Sequence, residues 1–161
     1  ILRRIAKKHK LIIIEDSAQA LGSRYKGTHA GTFGIGGCIS FYPAKVLGCL
    51  GDGGMILCND KKNYERLLML RDHGRDSVTG DVLLWGRNSR LDNLQAAFLN
   101  FQFQYYDDVV KRRREIATIY NNRLFDLPDL LLPPKPNEND DHYDIFQNFE
   151  ANSRFDFCLK M

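Results

Sequence analysis

Apolar residues Ile1, Leu2, Ile5 and Ala6 recur at helical spacing among Arg3, Arg4, Lys7, Lys8 and Lys10. This pattern predicts the last turns of a helix whose start precedes the sequence. Leu11-Ile12-Ile13-Ile14 follows as an unbroken, β-branched run ending in Glu15-Asp16. Such a run predicts a strand buried on both faces, as in the parallel sheet of an α/β fold. Open α/β sheets hold ligands at the carboxyl ends of their strands, so Asp16 stands where chemistry is expected.

Residues 22–37 carry six glycines and predict a loop with short extended pieces. Gly37–Phe41 is a second strand, broken by Pro43, with Lys45 in the turn beyond it. Gly51-Asp52-Gly53-Gly54 marks another turn, and Met55–Cys58 a third strand, hairpin-like with what precedes it. Asn59 or Asp60 can cap a helix running to about Asp72, with Tyr64, Leu67, Leu68 and Leu70 as its apolar face. Residues 73–86 are irregular. Two helices follow, one from about Leu91 with a Leu91/Leu94/Phe98/Phe101 stripe, the other from about Tyr106 to Leu124. Residues 127–144 contain four of the five prolines and an acidic cluster, which predicts a linker leaving the domain. Tyr143 to Met161 then suggests a strand and an incomplete helix.

Composition changes this picture little. An apolar fraction of 43% is that of a globular protein, and a formal charge of +3 gives no reason to invoke nucleic acid. No apolar run is long enough to span a bilayer, and the opening basic residues are interspersed rather than followed by a signal-peptide core. The four cysteines form no C-x-x-C pair and no histidine lies at zinc-finger spacing, so no metal site is expected. Cys38 and Cys58 sit in apolar runs and are expected to be buried, reduced thiols, in keeping with a cytoplasmic location.

Asp16, Gln19, Ser40 and Lys45 together form the constellation that carries chemistry. They could provide an amine for a Schiff base, a carboxylate for a pyridine nitrogen, a donor near a ring oxygen and a hydroxyl for a phosphate. Each residue alone is ordinary: an aspartate at a strand end is most often a cap or turn residue, and a lone lysine is usually solvated. Other candidates are weaker. Gly34-Ile35-Gly36 begins like a dinucleotide loop, but the third glycine would fall at Ile39. Arg112-Arg113-Arg114 reads as a solvated helix face, and Phe98 to Tyr106 as core or subunit interface.

Four ordered segments carry a resemblance to a known family: 14–20 (IEDSAQA), 40–45 (SFYPAK), 51–54 (GDGG) and 86–92 (GRNSRLD). The chain resembles the DegT/DnrJ/EryC1/StrS family over about its first 125 residues, including the family's usual interval from Asp16 to Lys45. The resemblance implies a fold-type I pyridoxal-phosphate (PLP) transferase large domain, a three-layer α/β/α arrangement with a mostly parallel sheet, here incomplete. It implies 1–126 as the central and C-terminal part of that domain, and 127–161 as the linker and start of a small domain.

The same resemblance makes Lys45 the Schiff-base lysine and proton shuttle, Asp16 the partner of the pyridine nitrogen, and Gln19 the residue beside the ring oxygen. Ser40 matches a phosphate ligand, Ala18 packs on a ring face, and Asn88 reaches the cofactor phosphate of the neighbouring subunit. A lysine at position 45 favours transamination over the dehydratase branch, which has histidine there. The implied activity is transfer of an amino group, from glutamate, to a keto-sugar nucleotide of the kind used in cell-surface polysaccharides. The implied assembly is a cytoplasmic homodimer with shared sites. The rival expectation is a truncated, non-catalytic homologue that only dimerises with, or regulates, an intact partner.

Overall fold

The computed structural model describes residues 1–137 and 141–153. Helix α1 (Leu2–His9) closes at Lys10, which turns left-handed (φ 53°, ψ 36°) and returns its N–H to Ala6 and Lys7 carbonyls. Lys7, Lys8 and His9 sit at the favourable negative end of its dipole. Strand β1 (Ile14–Asp16) leads to a tight hairpin of β2 (Arg24–Tyr25) and β3 (Thr28–His29). Its two turn residues, Lys26 and Gly27, both have positive φ, the requirement of a type I′ turn. Strands β4 (Gly36–Ser40) and β5 (Gly54–Cys58) follow.

Helix α2 (Lys61–Arg71) is capped by Asp60, whose carboxylate accepts from Asn63 N at 2.8 Å. Helices α3 (Asn93–Phe103) and α4 (Tyr106–Leu124) come next. Short strands β6 (Leu130–Leu131), β7 (His142–Tyr143) and β8 (Asn152–Ser153) complete the described chain.

The main sheet has the order β1-β4-β5. β1 runs parallel to β4 with Asp16 opposite Cys38, whereas β5 runs antiparallel to β4 with Ser40 opposite Gly54. The only parallel ladder among the described residues is therefore β1–β4. A second sheet has the order β3-β2-β7, and β6 pairs with β8. The core lies under the turn that follows β4: Ile39, Phe41, Leu47, Cys49 and Leu99 form one buried cluster, flanked by Leu21, Leu57, Leu91 and Tyr106. Apolar residues thus bracket Lys45 on both sides in sequence, and burying them fixes the turn that carries it.

Several expectations are corrected. The first strand begins at Ile14 rather than Leu11, and Ile12 and Ile14 are each 70% exposed. β1 is an edge of the described sheet, and Ile14 lines a cleft with Leu67 and Leu70 of α2 rather than being packed against them. Cys38 is exposed and Cys58 half-buried, because β4 and β5 turn these side chains away from the core. The buried thiol is Cys49, whose pKa burial pushes up.

The predicted stripe at α3 is buried only in part: Leu91 packs against the core and Phe98 is half-buried, but Leu94 and Phe101 are exposed and Leu99 is the buried residue. The inward face is Gln95, Leu99 and Gln102, one side of the helix at i, i+4, i+7. Gln95 accepts from Leu50 N at 2.8 Å and donates to Leu50 O at 2.9 Å, and Gln102 accepts from Gly48 N. Gln102 thereby satisfies the backbone of the buried Gly48, while the two Gln95 bonds tie down the exposed Leu50.

The arginine run is not a solvated face either. Arg114 is buried, donates to Asp144 O and stacks over Tyr143, while Arg113 donates to the carbonyls of Phe146 and Gln147. Only Arg112 faces outward, paired with Glu115. Correspondingly, the predicted linker does not simply leave. β7 pairs with β2, and the adjoining Ile145 and Phe146 are buried. Part of the acidic cluster (138–140) and most of the expected incomplete helix (154–161) lie outside the described residues, and 143–153 contains no helix.

Candidate functional site

β1 and β4 end side by side, so their carboxyl ends present Asp16 and Ser40 at one edge of the sheet. Ser17 N bonds to Cys38 O at 2.9 Å and continues the ladder one step past Asp16. The Asp16 side chain is exposed. One oxygen accepts from Ala18 N at 3.1 Å and the other has no partner among the described residues. Ala18, Gln19 and Ala20 form the turn beyond, closed by Ala20 N to Ser17 O. Asp16, Gln19 and Ala20 share the wall of an open cleft with Phe33 and Tyr143.

The neighbour of Asp16 has a structural task that sequence reading missed. Glu15 points to the opposite sheet face, where its carboxylate accepts from Gly31 N (2.8 Å), Phe33 N (2.5 Å) and Gly34 N (2.9 Å). The glycine-rich loop is thereby folded against β1. Gly37 shows how close that packing is: a Cβ there would stand 2.3 Å from Gly31 Cα.

Ser40 is half-buried and its Oγ accepts from Tyr42 N at 3.2 Å, which leaves its hydroxyl proton free to donate. The chain then makes a tight turn in which Lys45 N bonds to Tyr42 O at 2.9 Å. Cys49 N returns to Phe41 O at 2.7 Å, so the segment carrying Lys45 is a closed loop on the core. A Cβ on Gly48 would meet Tyr42 and Pro43 carbonyl oxygens at 2.9 and 2.8 Å, so the close return of this loop needs glycine. Lys45 is half-buried, and its amine has no carboxylate or hydrogen-bond partner among the described residues.

Five of the six expected site residues lie on the segments leaving the carboxyl ends of β1 and β4, and Asp16 and Gln19 line one cleft whose wall includes neither Ser40 nor Lys45. Asp16, Ala18, Gln19, Ser40 and Lys45 belong to the carboxyl edge of β1–β4 and the turns leaving it. Asn88 does not join them: it is exposed on the loop before α3, bridges to Asp72, and accepts from Arg90 Nε at 3.4 Å. Two residues missed in the sequence reach this group from far along the chain. Gln147 bonds to Val46 N and Ala44 O, and Asn148 bonds to Gln19 Oε1. Nothing local in their sequence signals this.

A half-buried unpaired amine, an exposed carboxylate at a strand end and a free hydroxyl are a donor set that fits pyridoxal phosphate. Solved structures of similar shape agree. The S. venezuelae DesV structure in complex with a ketimine intermediate matches with a TM-score of 0.85 at 38% identity, covering 94% of this chain and 40% of that one. The fold is that of the large domain of PLP-dependent transferases of fold-type I. The sequence model of the DegT/DnrJ/EryC1/StrS aminotransferase family matches residues 1–156, and the chain belongs to that family.

Among curated relatives, a Geobacillus stearothermophilus pleiotropic regulatory protein is 41% identical over 146 residues. The dTDP-3-amino-3,4,6-trideoxy-alpha-D-glucose transaminase of Streptomyces venezuelae is 40% identical over 146 residues. Each alignment covers 90% of this chain, and the chain spans 38% of the length of either relative.

Proposed function

We propose that the protein transfers an amino group from glutamate to a keto-sugar nucleotide, with pyridoxal phosphate held at the β1–β4 edge. The observation that carries the reading is the juxtaposition of Asp16 and Ser40 at the carboxyl ends of adjacent parallel strands, followed by the unpaired Lys45 amine. Its support from relatives is chemical: several are named as sugar-nucleotide aminotransferases or transaminases. The non-catalytic rival has no feature of this site in its favour.

Bound pyridoxal phosphate supplies the carbonyl that exchanges amines and the ring that accepts electrons. Asp16 would hold the ring nitrogen with its unpartnered carboxylate oxygen and keep a proton there. Ser40 donates its free hydroxyl proton to the phosphate. Gln19 has its carbonyl oxygen engaged by Asn148, so its Nε2 hydrogens remain for the ring oxygen. Ala18 offers a small face for the ring to lie on. Lys45 would hold the cofactor through its unpaired amine, and the same Nζ would serve as the base that moves the proton. Asn88, remote from this group, acts on the phosphate of a second copy, which makes the working unit a homodimer.

The test is direct. The protein is loaded with pyridoxal phosphate, reduced with borohydride and mapped by peptide mass. The label is expected on Lys45, lost in Lys45→Ala, and discharged beforehand by glutamate in the wild type. A label on another lysine refutes the assignment.

A further inference from the structure

We infer that Gln147 is a positioning residue for Lys45, held in place by an arginine-gripped strap made from residues 144–148. The inference rests on the reading of Lys45 as the cofactor-binding lysine. Gln147 is the one side chain described that bonds to the backbone on both sides of Lys45. Its Oε1 accepts from Val46 N at 2.9 Å and its Nε2 donates to Ala44 O at 3.0 Å. A carboxamide uses its acceptor and its donor here at once, so neither a carboxylate nor a hydrocarbon can replace it. The next residue, Asn148, donates to Gln19 Oε1 at 3.1 Å. Two consecutive side chains therefore set the place of Lys45 and the orientation of Gln19.

The strap is built to hold that position. Ile145 and Phe146 are buried. Phe146 takes a left-handed conformation (φ 51°), rare for a bulky residue, and its N–H is held by Asp144 Oδ1 at 2.8 Å. Arg114 donates to Asp144 O at 2.6 Å, and Arg113 donates to Phe146 O at 3.2 Å and to Gln147 O at 3.0 Å. Two charged groups on α4 thus grip the three carbonyls around Gln147. Hydrogen bonds from charged donors are the stronger kind, and a rigid support is what fine placement of a reacting group requires. A merely structural strap would need the buried Ile145 and Phe146 but not an amide that reads both neighbours of Lys45.

The experiment uses the full-length protein. Wild type, Gln147→Ala, Gln147→Glu and the core control Val110→Ala are compared by three measurements. These are amide exchange of the peptide containing Val46 without cofactor, the rate of borohydride-fixed pyridoxal phosphate labelling at Lys45 against pH, and thermal unfolding. The expected result is faster exchange at Val46 in Gln147→Ala and labelling at Lys45 slowed roughly tenfold or more. Gln147→Glu keeps the Val46 bond, so exchange there stays near wild type. Its labelling is slowed, and the pH profile moves to higher pH because a carboxylate beside the turn favours the protonated amine.

Val110→Ala is expected to lose stability yet label at the wild-type rate. Should Gln147→Ala fail to fold, Gln147→Glu decides alone: a wild-type labelling rate and pH profile overturns the inference. So does labelling that falls in step with melting temperature across all variants, Val110→Ala included. A wild type that does not label at Lys45 instead refutes the underlying assignment and is seen before any variant is made.

Discussion

The carboxylate of Glu15 makes a sharper stability prediction than any residue of the candidate site. Glu15→Gln is nearly isosteric and changes one oxygen to NH2. In the native arrangement Oε2 accepts from Gly31 N at 2.8 Å, and Oε1 accepts from Phe33 N and Gly34 N. A glutamine can keep its oxygen on the Phe33 and Gly34 pair, but its amide then faces the Gly31 N–H, donor against donor. Gly31 is buried, so that N–H finds no water. One charge-assisted bond is lost at about 1.5–3 kcal/mol and the two survivors become neutral bonds of about 1 kcal/mol, so the net cost is about 2.5–7 kcal/mol. That is a large part of a typical stability of about 5–15 kcal/mol.

Equilibrium urea unfolding at fixed protein concentration measures it, because the concentration of any dimer enters the midpoint. The adjacent Asp16→Asn supplies the contrast. Asp16 is exposed and its Ala18 contact survives in asparagine, so its midpoint should shift by no more than about 0.5 kcal/mol while transamination falls. Glu15→Gln within about 0.5 kcal/mol of wild type, with an unchanged urea slope, would refute the reading of the three bonds as structural.

Three more outcomes are expected. Gly37→Ala should lower the melting temperature measured by circular dichroism, because its Cβ would stand 2.5 Å from Gly31 O and the backbone must move, at about 1–3 kcal/mol. Arg114→Lys should lose about 1–2 kcal/mol in urea unfolding, since an ammonium cannot reproduce the guanidinium that stacks 4.1 Å above the Tyr143 ring while donating to Asp144 O. The Tyr106 hydroxyl, bonded to Leu21 O, has its pKa pushed up to about 12 by burial first, then by Tyr143 and Asp107. A folded-state pKa above the unfolded value of about 10 means its contribution is present in full below pH 10 and fades as pH climbs toward 12. Tyr106→Phe should thus be less stable than wild type at pH 8, with the gap narrowing above pH 10, and a gap constant to pH 12 would contradict the assignment.

What could be read in the chain was whatever depends on neighbours in sequence. Helix α4 occupies the predicted span because its periodicity is long enough to outweigh local noise, and Asp60 caps α2 because N-capping involves residues three apart. The β4–β5 pair follows from two short apolar runs punctuated by glycine and proline. Asp16 and Ser40 could be placed at strand ends because each closes a short run read from neighbouring residues, and Lys45 in a turn because Pro43 interrupts the second run. β1 was misjudged because burial depends on what lies over a strand, and a run of isoleucines carries no record of that.

The residues that escaped share a different property: their partners are set by tertiary contact and their chemistry looks like surface. Gln95 and Gln102 lie on the buried side of α3, where a hydrophobicity pattern assigns polar residues to water and so selects Leu94 and Phe101 instead. Arg113 and Arg114 look like a charge run, yet their partners are backbone carbonyls about thirty residues away, which no charge pattern encodes. Gln147 and Asn148 reach Ala44, Val46 and Gln19 across more than a hundred residues. Arg114 is buried, Gln95, Gln102, Arg113 and Gln147 are half-buried and bond to main chain, and Asn148 is exposed and bonds to the Gln19 side chain. A search for buried positions by hydrophobicity therefore finds the core under the turn that carries Lys45 but passes over the side chains that bond to that turn, because directional bonds are made by residues that look soluble.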